Sequence, residues 1–70
     1  MPQATPADLH VLALWVTAGS VKEAAARAGV RRDTFSHRLM RVCRRHGVSS
    51  PRVLAIVLAD ELRPYVTDAE

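Results

Sequence analysis

Apolar residues recur along the chain at three- and four-residue intervals, and no stretch alternates as a half-buried strand would. Leu9, Leu12 and Val16, flanked by Val11 and Trp15, draw a wide apolar stripe down a first predicted helix. Thr5-Pro6-Ala7-Asp8 marks its start. A threonine suits the cap, a proline suits the first helical position, and Asp8 stands third, where a carboxylate can answer back to the cap. Ala18-Gly19 closes this helix, Ser20 caps the next, and Glu23 completes a capping box three residues on. Ala24, Ala25 and Ala28 make a small face that a neighbouring helix can approach closely. Gly29 suits the left-handed position that stops such a helix, with Val30 packed beneath the turn.

The third helix lacks a good cap in Arg31. Phe35, Leu39, Val42 and His46 share one side of it, while Ser36, His37, Met40, Arg41 and Arg44 lie on or near the other. Gly47 ends it and Val48 supplies an apolar contact. Ser49-Ser50-Pro51 opens the last helix, which Pro64 is expected to stop. The pattern predicts one all-α, four-helix domain over residues 1–70, with helices near 6–18, 20–28, 32–46 and 51–62 and a tail over 63–70. Its predicted core is Leu9, Leu12, Val16, Ala25, Val30, Phe35, Leu39, Val42 and Leu58.

Seventy residues sit near the size at which a single core is marginal, and Trp15, Phe35 and Tyr65 are the only aromatics, so that core is aliphatic. The last helix, with Val53, Leu54, Ile56, Val57 and Leu58, is apolar on more faces than three short neighbours can cover. Part of it is expected to meet another molecule.

Charge changes the picture more than composition does. Seven of the ten basic residues fall between Arg27 and Arg45, against Asp33 alone. Residues 27–52 hold eight arginines and that one acid, for +7, which leaves −4 on the rest of a chain whose total is +3. A positive helix directly after a tight inter-helix turn is the arrangement of a helix–turn–helix that enters the DNA major groove. Double-stranded DNA is the expected partner.

In order along the chain, Thr5-Pro6-Ala7-Asp8, Val11-Leu12, Leu14, Ser20-Val21-Lys22-Glu23-Ala24-Ala25, Val30, Thr34-Phe35, Val42, Arg45 and Gly47-Val48 fall into a familiar succession. They resemble, without a gap from Thr5 to Val48, the LuxR-type (GerE-like) four-helix DNA-binding domain, and the likeness covers about residues 4–62. That family typically reads "TPRE–VL–L" and then "KEIA–L–IS–TVK–H–I–KLGV". The chain departs from it at Ala24 for Ile, Ala28 for Leu, Arg31 for the Ser cap, Ser36 for Lys, Arg38 for His and His46 for Leu. The two small residues shrink the core, and Trp15 and Phe35 are placed to restore the volume.

Carried over by position, the resemblance implies base contacts from Ser36, His37 and Met40. Phosphate contacts are implied for Ser20, Lys22, Arg32, Thr34, Arg41, Arg44 and Arg45. It implies homodimerisation through the last helix by Leu54, Val57 and Leu58, with Glu61 at the edge. The function implied is a sequence-specific, duplex-binding transcription regulator, standalone or the output domain of a larger one. The alternative is a protein-interaction module of the same fold that docks a protein partner on its last helix, with weak or no DNA binding. A third, a promoter-reading region like that of a sigma factor, is disfavoured by the fourth helix.

Other chemistry is thin. Cys43 and His46 stand three apart on one helix, with His37 and His10 elsewhere, short of the four convergent ligands of a zinc site. Cys43 reads as a small buried hydrophobe and His46 as a partner of the helix dipole. Asp60 and Glu61 are adjacent and diverge on a helix. With no phosphate loop and no nucleophile beside a base, neither catalysis nor a metal or cofactor is expected. A lone cysteine, no basic leader and no apolar run of membrane length make the cytoplasm the expected setting.

Overall fold

A computed structural model describes residues 4–67. Those residues form five helices and no strand: α1 (Pro6–Ala18), α2 (Val21–Ala28), α3 (Arg32–Arg45), α4 (Pro51–Val57) and α5 (Ala59–Thr67). Local chemistry accounts for most of the boundaries. Thr5 Oγ1 accepts the Asp8 N–H at 3.1 Å and Ser20 Oγ accepts the Glu23 N–H at 3.1 Å. Ser50 Oγ accepts from the Arg52 N–H at 3.2 Å, whereas Arg31 offers α3 no side-chain cap. Gly29 takes φ +73°, and around it the Val30 N–H reaches Ala25 O while the Gly29 N–H reaches Ala26 O. That pair of bonds is a Schellman closure, and it recurs at the end of α3, where Val48 and Gly47 donate to Cys43 and Arg44.

α1 is the central element, packed against α2 and α5, while α2 also supports α3. The core joins Leu9, Leu12 and Ala13 of α1, Ala24 and Ala25 of α2, and Phe35, Leu39, Val42 and Cys43 of α3. Leu54, Leu58 and Leu62 close it from the C-terminal side. Seven of the nine expected core residues are buried; Val30 is only partly so, and Val16 is 40% exposed. Val16 overhangs the short α4 at the end of α1, where it lines an open groove rather than meeting a neighbour.

The expected last helix over 51–62 is two helices, and the expected count of four becomes five. The break falls at Leu58, with φ −100° and ψ 21°, and not at Pro64. On an unbroken helix Leu54 and Leu62 would point about 80° apart. That arc fits within one apolar face, and Leu54, Leu58 and Leu62 are all buried across the break. Helix α5 then restarts at Ala59 with Asp60 and Glu61 in its first turn, and Pro64 lies inside it, forfeiting one backbone bond. The residues expected as tail are thus helical as far as Thr67, and 68–70 lie outside the described residues. No described helix is long and apolar enough to cross a membrane.

Candidate nucleic-acid interface

The turn Gly29-Val30-Arg31 sets α3 against α2, and the periodicity of α3 then sorts its side chains. Phe35, Leu39, Val42 and Cys43 face inward and are buried. At about 100° per residue, His37 and Arg44 fall on the side away from Phe35, with Met40 and Arg41 to either side of them. All four are exposed, as is Arg32, while Ser36 and Thr34 are half-buried on the flanks. Ser20 and Lys22 are exposed at the start of α2. The Ser20 oxygen already accepts the Glu23 N–H, which leaves its own O–H free to donate outward.

Ion pairing separates the arginines. Arg27 meets Glu23 at 3.6 Å and Arg63 meets Asp60 at 3.1 Å, both on the surface. Among the described residues no ion pair engages Lys22, Arg31, Arg32, Arg38, Arg41, Arg44 or Arg52. This unneutralised set includes most of α3, so the helix presents real excess positive charge. Arg31, at the turn itself, and Arg38, on the α1 side, belong to that set although the sequence reading assigned neither to a ligand.

Arg45 is different. Its Nη1 lies 3.4 Å from Asp8 Oδ1, and His46 Nε2 lies 3.9 Å from Asp8 Oδ2. Asp8 therefore does not fold back on its own cap. It is 5% exposed and spans from α1 to the end of α3. Arg45 is thus half-committed to an internal acid, which lowers its weight as a phosphate contact. Asp8 Oδ2 and His46 Nε2 are buried and make no hydrogen bond, each facing the other beyond bonding distance. Nothing along the sequence ties residues 8 and 45 together; only packing does.

The expected dimer face also changes. Leu54 is 0% exposed and Leu58 is 8% exposed, so both belong to this chain's own core and cannot form a contact with another molecule. Val57, 63% exposed, and Glu61 do face outward. The apolar surface of α4 consists of Val53, Ile56 and Val57, with Ile56 at 71% exposure. Beside it, Trp15 and Val16 of α1 and Ala55, Ile56 and Ala59 line a groove of about 520 Å³.

Cys43 is buried and unpaired, and burial pushes its thiol up from the ordinary range. Among the described residues no group of three histidine, cysteine or acidic side chains is placed to hold a metal ion. Comparison of the chain with known families finds no matching family model, and neither curated proteins nor solved structures give a match.

Proposed function

We propose that this chain is a sequence-specific duplex-DNA-binding regulator of transcription, of LuxR-like design, that lays α3 in the major groove. One observation carries this reading: α3 exposes Arg32, Arg41 and Arg44, and none of the three has an ion pair among the described residues. Arg32, Arg41, Arg44 and Lys22 take phosphates, aided by the hydroxyls of Ser20 and Thr34. Ser36, His37 and Met40 read base edges, the first two by hydrogen bonds and Met40 by contact with a thymine methyl. No catalytic role is assigned, and the cytoplasm is the setting in which such a module and its buried thiol belong.

The same reading includes a homodimer. Val53, Ile56 and Val57 form its apolar centre, and Arg52 and Asp60 stand four residues either side of Ile56. A two-fold axis at Ile56 would set the exposed Val53, Ile56 and Val57 of each copy against those of the other, the self-complementarity that an isologous contact needs. Half-sites would then lie about one helical turn apart on the duplex. The open groove beside Ile56 also favours a second reading, a protein partner on this face in place of the second copy.

Four cationic contacts give a salt slope of about −4 in log–log form by counterion release. Titration of duplexes selected from a random pool, at several salt concentrations, measures it. His37→Ala should cost roughly 1–3 kcal/mol on the selected site and little on random duplex. A protein that binds no duplex even at low salt overturns the proposal, and equal loss on both duplexes removes His37 from base reading.

A further inference from the structure

Three cavities lie end to end along one flank of α1. The first, of about 230 Å³, sits between Val11 and Val42 with Arg38, Arg41 and Arg45 around it. The second, of about 360 Å³, shares Val11 and Arg38 with the first and adds Leu14, Phe35, His10 and Arg27. The third, of about 220 Å³, shares His10, Leu14 and Arg27 with the second and reaches Tyr65 of α5. Together they make one furrow that follows α1 from Ala7 to Thr17, roughly 15 Å at the helical rise per residue.

The furrow combines two surfaces seldom found together. Its apolar side offers half-buried Val11 and Leu14, with the core residues Phe35 and Val42 behind them. Its other bank holds four arginines. The chain's own acids already engage the outer two, Glu23 on Arg27 and Asp8 on Arg45, while the inner two, Arg38 and Arg41, have no ion pair among the described residues. On the α3 wheel Arg38 and Arg45 point toward α1, about 80–100° from His37, while Arg41 stands about 40° from His37, where this flank meets the outward face.

We propose that this furrow binds an acidic amphipathic helix of a partner protein. Leucine-like side chains on one face of that helix cover Val11 and Leu14, and carboxylates a turn apart meet Arg38 and Arg41. A groove of this length takes about three turns of helix. A phosphate backbone would satisfy the arginines but has no apolar surface for the opposite bank. The site is separate from the α4 face but shares Arg41 with the proposed duplex contacts, so peptide and duplex compete there.

The test uses a fluorescently labelled synthetic peptide of about 15 residues, with leucines at i, i+3, i+4 and i+7 and glutamates elsewhere. Its anisotropy is titrated with the full chain, and circular dichroism checks that each variant folds. The expected result is saturable binding that Arg38→Glu weakens by about tenfold or more and Arg31→Glu, outside the furrow, changes by no more than about twofold. Replacing the peptide's leucines by serine should remove binding. The proposal fails if the serine peptide binds equally, since charge alone then suffices, or if Arg31→Glu and Arg38→Glu have equal effects. It also fails if the peptide does not bind, and if Arg38→Glu then abolishes duplex binding the furrow carries the DNA backbone instead.

Discussion

Burying the Asp8 carboxylate sets it against desolvation, and Arg45 is the cation that answers it. Arg45 is half-exposed, so the pair is screened and worth less than a fully buried one. Arg45→Ala should therefore destabilise the fold by about 1–2 kcal/mol by leaving Asp8 less compensated, while weakening DNA binding little. Arg41→Ala should do the reverse, with stability nearly unchanged and the salt slope flatter by about one unit. Paired urea unfolding and duplex titrations read both quantities. Cys43 supplies a second check at this scale. Its thiol is raised in the folded state, so the unfolded chain releases its proton at lower pH than the native one. That contribution is fully present below the ordinary thiol range, about 8.5, and is lost as pH rises through the raised native value. Unfolding free energy should fall on going from neutral to alkaline pH, and Cys43→Ala should lose that part of the slope.

At the scale of elements, the two Schellman closures end α2 and α3. Gly29 at φ +73° has open space where a Cβ would go, so a substitution there is opposed by backbone strain alone. Gly29→Ala should cost roughly 1 kcal/mol in thermal or urea unfolding, and an unchanged midpoint would mean that the turn relaxes. Helix α3 has no side-chain cap at Arg31, so its start depends on this turn and on Phe35 beneath it. The α4–α5 break at Leu58 lies within a run of three buried leucines at four-residue spacing, Leu54, Leu58 and Leu62.

For the whole molecule, the small core has directed its leftover apolar surface to α4. Ile56 is too exposed to contribute much to folding, so Ile56→Asp should leave unfolding within about 0.5 kcal/mol of the parent. It should nevertheless abolish any self-association of the chain. Sedimentation with and without a palindromic duplex measures this, and one protomer per site in both parent and variant ends the dimer reading.

The first three helices were legible in the chain because their signals are local. Thr5, Ser20 and Gly29 act within four residues of themselves, and the spacing of Phe35, Leu39 and Val42 names a buried face without knowledge of what covers it. The exposed basic face of α3 follows from that same spacing. Distances across the fold were not legible. Asp8 meets Arg45 from 37 residues away, and no local pattern links the two. Leu54 and Leu58 look like surplus apolar surface in one dimension and prove to be core, because the helix packs that side against its neighbours and leaves Val53, Ile56 and Val57 outside. Helix periodicity and caps are properties of neighbours in sequence, so the chain alone determined the elements and their inner faces. Which acid neutralises which arginine, and which aliphatic residues stay in water, depend on how helices pack, and only the tertiary structure decided them.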